Sequence, residues 1–336
     1  MSLFVCLIAT GIVAYPGRSM PDLSVGGQAV IEGVMMRSTD RVSTAVRRSD
    51  GTIEVRNEDF VPISKRKKFF GIPIVRGAIS FVEMLIIGIR SLNYSAEVAA
   101  ADIEREQGKD VEADKPASST STMLILTAVA AIALGVGIFF FLPLWFSSLL
   151  HVKKDALSFN LVAGVFRVAM FLVYIWAISH FNDLRRVFQY HGAEHKSIWA
   201  FESGKDLLPE EAQKFTTRHP RCGTSFILIV AILAIIIYSI SDTIYAVVTG
   251  APPTLPMRFL VHFSLLPLVA GGSYELLKLS GRTRENIITK IFISPGLWLQ
   301  AMTTREPSLD QLEVAIVALK NSLRMEGQSE KVIIEK

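Results

Sequence analysis

Cysteine is nearly missing from this sequence: Cys6 and Cys222 are the only two in 336 residues. That scarcity excludes a disulfide framework and leaves Cys222 readable as a reduced thiol. Charge is thin as well. Charged residues make up 20% of the chain and hydrophobic residues 50%, too apolar for an ordinary soluble protein and too charged for one that is membrane throughout. No aromatic-plus-basic RNA motif and no zinc-finger spacing occurs, so the net charge of +4 points to Lys and Arg beside a membrane and not to nucleic acid. Internal repeats and long low-complexity tracts are also lacking.

Long apolar runs, by contrast, are plentiful. Four of them, at about 123–149, 157–179, 225–248 and 257–279, are long enough to cross a bilayer, which takes about 20 residues of helix. Arg167 interrupts the second run, where it should face the bundle interior or snorkel to the lipid boundary. The fourth holds His262, which reads as a simple hydrogen-bonding residue, and a break from Pro267 to Gly272. Basic residues crowd the segment before the first run ("KRKK", 65–68), the long connector 180–224 and the stretch after the fourth; Lys153 and Lys154 are the discordant pair. Cytoplasmic loops are enriched in Lys and Arg, which predicts four spans of an inner membrane with both termini in the cytoplasm. The lipid bilayer is then the first partner, with other membrane proteins as further candidates.

The expected fold is a mainly α membrane protein, four transmembrane helices carrying a small cytoplasmic α+β N-terminal domain made of a β-hairpin and an amphipathic helix. Residues 1–19 read as a mis-set start or a loose surface segment, because "LFVCLIATGIVAY" is short for a span and lacks the basic residues that precede a signal-peptide core. Residues 20–72 are strand-rich, with a hairpin around Ser49-Asp50-Gly51. An amphipathic helix follows over 73–105, suited either to the membrane interface or to packing on the spans. A linker occupies 106–121 and the four-span bundle 122–280. The C-terminal region 281–336 contains a helix over 308–324, opened by a capping box of Ser308 and Gln311.

Chemistry concentrates in connector 180–224. Of six histidines, His191, His195 and His219 lie inside it, and Cys222 closes it. "YHGAEHK" (190–196) has the spacing His-x-x-Glu-His, the inverse of the zinc hydrolase pattern, and on a helix its two histidines share one face. Imidazole and thiolate are the usual ligands of zinc. Two designs are open. With His191, His195 and a carboxylate as ligands, a fourth position remains for water and Glu194 can serve as general base; Glu275 is the favoured carboxylate and Glu202 the nearer one. With His219 and Cys222 completing the shell, the site is closed and structural. The plain alternative is a polar juxtamembrane loop without metal. Glu32 reads as a loop carboxylate paired with Arg37.

Five blocks, "GGQAVIEGVMMR" (26–37), "YHGAEHK" (190–196), "HPRCGTSF" (219–226), "SYELLK" (273–278) and "PGLWLQAMTTREP" (295–307), occur in this order. Together they resemble the YqhQ family of bacterial membrane proteins, a domain of unknown function described as a predicted metal-dependent enzyme. The resemblance runs from about 26 to 318 and leaves residues 1–19 outside. It implies a metal near His191, Glu194, His195, His219 and Cys222, and no particular substrate. Two functions follow as expectations: a metal-dependent hydrolase of peptides or lipid-linked substrates, and a non-enzymatic membrane scaffold or assembly factor.

Overall fold

The alternating stretch that begins at Gly26 folds as a sheet in the computed structural model, which describes residues 25–66, 68–107, 126, 129, 130, 133–150, 156–220, 222–282, 286–325 and 332–334. Strands β1 (Gly26–Val30), β2 (Gly33–Arg37), β3 (Arg41–Arg47) and β4 (Ile53–Asp59) form an antiparallel meander. A short β5 (Val332–Ile334) pairs in parallel with β4. The β3–β4 turn is the expected one. Gly51 has φ +86°, a left-handed conformation that glycine adopts at least cost, and Asp50 Oδ1 accepts from the Thr52 amide at 2.8 Å.

The helices that follow are α1 (Val75–Glu106), α2 (Leu142–Leu149), α3 (Ala156–Ile178), α4 (Asn182–Glu202), α5 (Pro209–Gln213), α6 (Gly223–Thr249), α7 (Leu255–Ser264), α8 (Leu266–Arg282), α9 (Ile287–Thr303) and α10 (Leu309–Ser322). Period-two alternation sorts the strand side chains onto two faces. Val34, Met36, Ala45 and Val55 pack with Tyr190 and Ala193 of α4 and with Leu312, Ala315 and Leu319 of α10. Val30, Met35, Val42 and Val46 face the other way, onto Tyr94 and Val98 of α1. The sheet is therefore the middle of three layers. Helix α10 begins with the expected capping box: Ser308 Oγ accepts from the Gln311 amide at 3.3 Å, and Gln311 Oε1 accepts from the Ser308 amide at 3.0 Å.

Of the four expected spans, two or three are clear among the described residues. Two helices there are long and apolar enough to cross a membrane, Leu157–Ile178 and Ile229–Thr249, and a third qualifies if a bent pair is counted as one. That pair, Leu255–Ser264 with Leu266–Leu279, bends by 48°. Pro267 stands just beyond the bend and has no amide hydrogen to carry the helix across it. In the first run the described helix, Ala133–Leu149, is shorter than a span, and part of 123–132 lies outside the described residues. It includes a π-helical turn, Gly137–Phe141. Arg167 Nε donates to the Phe139 carbonyl in that turn at 3.0 Å, and its guanidinium lies 5.3 Å from the Phe140 ring centre. Arg167 thus turns inward.

Helix α1 is amphipathic as expected, but its apolar side faces out. Through its first five turns it buries mostly small residues, Gly77, Ser80, Gly88 and Ser91, together with Glu83, and only toward its end does it bury Tyr94, Ser95, Val98 and Asp102, whereas Val82, Leu85, Ile86 and Ile89 are exposed. Small residues let its first turns lie close on α8: a Cβ at Gly77 would come 2.6 Å from the Gly271 carbonyl oxygen.

Candidate metal centre

The stretch 182–202 is helical throughout, so His191 and His195 stand one turn apart with ring centres 4.5 Å apart. Helix α4 is clamped from both sides of the sequence. Gly192 lets it touch the chain after α9, where the Arg305 amide donates to the Phe188 carbonyl at 2.9 Å. On its other flank it packs along β1.

Both imidazoles are fixed by backbone oxygens. His191 Nδ1 is 2.8 Å from the carbonyl oxygen of Thr303, the last residue of α9, whose carbonyl has no partner within its own helix. His195 Nδ1 meets the carbonyl oxygen of Thr217 in the turn-rich segment after α5. A carbonyl only accepts, so each Nδ1 carries the proton and each Nε2 keeps a bare lone pair. Cys222, the residue before α6, completes the group. Its Sγ is 3.3 Å from His191 Nε2, and one ligand atom from each of His191, His195 and Cys222 lies within 4.8 Å of the others. His195 Nε2 is buried, and the Cys222 thiol is the group that answers it.

The donor set fits a zinc-class ion. Tetrahedral bonds of about 2.0 Å to nitrogen and 2.3 Å to sulfur put those atoms about 3.5 Å apart, close to the observed His191–Cys222 separation of 3.3 Å. Burial, and after it the neighbouring His191, hold His195 below the ordinary imidazole range. That favours the neutral form a metal needs.

Glu194 is buried beside this group, its Oε2 3.9 Å from His191 Nε2. Burial pushes its carboxyl above the ordinary range, opposed by the two nearby histidines and by the Gly27 amide, which donates to it. Gly27 must lack a side chain here, since a Cβ would come 2.9 Å from Glu194 Cγ. His219 stands next to the group and not in it. Its ring centre is 5.8 Å from that of His195, while its Nε2 lies 3.5 Å from Glu202 Oε1. Gln300 of α9 grips its backbone, accepting from the amide at 2.7 Å and donating to the carbonyl at 2.8 Å.

Glu275 is elsewhere. It forms a two-pronged pair with Arg76 of α1, at 3.0 and 2.6 Å, which uses both carboxylate oxygens. Glu32 pairs with Arg186 instead of Arg37, because the β1–β2 turn sets it over α4, and Arg37 lies over the Phe60 ring. The supporting groups that sequence reasoning missed are Gly27, Thr217, Gln300 and Thr303. Two of them act through backbone carbonyls, which leave no mark on residue type; Gln300 and Thr303 fall in "PGLWLQAMTTREP", where only the block itself hinted at a role.

Fold and site together define a class: an apolar helix bundle joined to a three-layer α/β/α unit, with a two-histidine, one-cysteine cluster where they meet. The chain belongs to the family described as a protein of unknown function, DUF1385, whose model matches residues 72–325. It is 33% identical over 311 residues to the uncharacterized protein YqhQ of Bacillus subtilis (strain 168), an alignment covering 91% of this chain and 94% of that protein. No solved structure matches it.

Proposed function

We propose that this is an integral protein of the inner membrane that holds one zinc-class ion through His191 Nε2, His195 Nε2 and Cys222 Sγ, and that it is a hydrolase. The observation that carries the reading is the pair of imidazoles whose Nδ1 protons are committed to the Thr303 and Thr217 carbonyls. Such outer contacts fix the tautomer a metal ligand requires. Without an ion, the buried His195 Nε2 is left to the Cys222 sulfur, a weak hydrogen-bonding group.

Three protein ligands leave a fourth position, and a zinc ion with an open position supplies an acidified water and polarises a carbonyl or phosphoryl oxygen. Glu194 is the base in this scheme, accepting the proton of the attacking nucleophile while the Gly27 amide keeps its carboxylate in place. The substrate class is a peptide or a lipid-linked molecule presented at the membrane surface, on the cytoplasmic side.

A second reading is favoured by the burial of the cluster, His195 being 1% exposed and Cys222 8%. There the ion is a pin joining α4, α6 and, through the Thr303 carbonyl, α9, and the protein is a scaffold for other membrane proteins.

Elemental analysis of detergent-purified protein decides the first step. One zinc-class ion per chain is expected, lost in Cys222→Ser and in His195→Ala. No metal in the wild type, after purification without chelators and zinc reconstitution, would sink the proposal. Glu194→Gln then separates the readings: the hydrolase keeps its metal and loses turnover of model peptide and phosphodiester substrates, whereas the pin keeps metal and melting temperature and has no turnover to lose.

A further inference from the structure

A second polar cluster lies near the opposite end of α6. About 30 Å of helix separates Asp242 from Cys222, at 1.5 Å per residue. Asp242 is 2% exposed, and Arg258 and His262 of α7 are 3% and 0% exposed. Ionisable residues buried in an apolar bundle are costly, and they commonly mark the paths of protons and ions.

Asp242 draws three helices together. Its Oδ2 accepts from Asn160 Nδ2 of α3 at 2.9 Å and lies 3.2 Å from Arg258 Nε. Its Oδ1 is 3.0 Å from His262 Nε2. An ionised carboxylate only accepts, so His262 Nε2 carries the proton and Nδ1 is a bare acceptor. That Nδ1 is buried and has no hydrogen-bond partner among the described residues. Tyr238 lies flat against the imidazole, centroids 4.1 Å apart and planes 4° apart, and an aromatic face attracts a cation.

The charges are arranged for one more proton. With the imidazole neutral, Asp242 and Arg258 cancel. Asn160 and Arg258 both address Oδ2, so among the described residues the second oxygen of the carboxylate is left to His262. Among the described residues, the charged and titratable groups that face the ring are Asp242 and Tyr238 of α6 and Arg258 of its own helix. Asn160 of α3 contributes a neutral amide, Arg167 of α3 is 5.9 Å from the Tyr238 ring centre, and α2 has no charged residue. The bend of 48° in the α7–α8 pair follows directly after α7.

We propose that His262 is a proton-binding site of the membrane domain. A proton from the aqueous phase on the side away from the sheet adds to Nδ1, and the resulting imidazolium is held by Asp242 Oδ1 and the Tyr238 face. Asp242 then answers two cations instead of one, which loosens its hold on Arg258 and shifts α7 against α6 at the bend.

The test uses full-length protein labelled with 15N-histidine in phospholipid nanodiscs, as wild type and as His262→Gln. The imidazole signals that vanish in the variant belong to His262. At about pH 8 they should show a protonated Nε2 and a bare Nδ1, and by about pH 5 two protonated nitrogens. Hydrogen exchange of α7, corrected for intrinsic rates, should change over the same interval in the wild type and not in His262→Gln. Asp242→Asn provides a second arm. Removing the carboxylate charge should lower the protonation midpoint by at least about one pH unit. A ring that keeps one tautomer from pH 8 to 5, α7 exchange with the same pH dependence in His262→Gln, or an unmoved midpoint in Asp242→Asn would each overturn the proposal. Metal content plays no part in these readouts, so they stand whatever the elemental analysis finds.

Discussion

A methyl group on Gly192 would sit 2.1 Å from the carbonyl oxygen of Arg305. Backbone cannot yield as a flexible side chain does, so Gly192→Ala must push α4 away from the end of α9. The same shift draws His191 from the Thr303 carbonyl, which lies two residues before Arg305. The expected result is a loss of about 1–3 kcal/mol in stability with metal affinity lower by about 10–100-fold. Thermal melts and zinc titration of the same sample check both; a variant that loses stability while holding zinc as tightly as wild type would show that this contact does not support the site. At this scale the sequence was a good guide to which side chains come together and a poor guide to what supports them. His191, His195 and Glu194 were legible because helical spacing puts the two histidines on one face and the glutamate beside them. Cys222 was legible through rarity. The Thr217 and Thr303 carbonyls were not, since any residue type supplies a carbonyl. Glu275 was misplaced because proximity in a fold is not a property of spacing: its partner, Arg76, is 199 residues away.

Between elements, the junction of α1 with α8 decides how the sheet layers sit on the bundle. Gly77 and Gly271 remove side chains where the helices cross, the close approach that small residues permit between membrane helices. One turn along α8 from Gly271, Arg76 and Glu275 add a pair whose side chains are 28% and 24% exposed. A double-mutant cycle of Arg76→Gln and Glu275→Gln should return a coupling of about 0.5–3 kcal/mol, and Gly77→Val should raise hydrogen exchange across the first half of α1. Zero coupling together with unchanged exchange would mean that α1 is held by the sheet alone. Element types were mostly readable. The β3–β4 hairpin announced itself through Asp-Gly, α10 through its capping box, and α1 through its apolar stripe. Which side that stripe faces could not be read, because a pattern of period 3.6 says that two faces differ and not which one meets protein. Of the run at 123–149 the described helix covers 133–149, and it holds a π-helical turn that spacing does not announce, where the Phe139 carbonyl accepts from Arg167. Helix α9 went unread because Pro295 lies inside it, and proline inside an apolar stretch argues against helix.

For the whole molecule, the two polar clusters fall at opposite ends of α6, and this gives the topology a sharp test. Cys222 precedes the first turn of α6, among the groups held by α4 and α9, while Asp242 lies within the last turns before the connector at 250–254. If α6 crosses the membrane, the sheet layers and the candidate metal centre share one side and that connector is on the other. On the proposed topology, which rests on the Lys and Arg bias, the sheet side is cytoplasmic. Ser49 and Ala251 are both exposed, one in the β3–β4 turn and one in the connector, so each can report its side without disturbing a packed position. In a Cys6→Ser background with Cys222 left buried, Ala251→Cys should react with a membrane-impermeant maleimide in intact spheroplasts, and Ser49→Cys only after lysis. The reverse pattern would place the metal centre outside the cell, where a lipid-linked or secreted substrate would have to meet it and where the proton site would face the cytoplasm. Labelling of both positions in intact spheroplasts would mean that α6 does not cross at all. In that case Asp242, Arg258 and His262 would be an interior polar cluster of a surface-bound protein, and the cost of burying them would lose its membrane rationale.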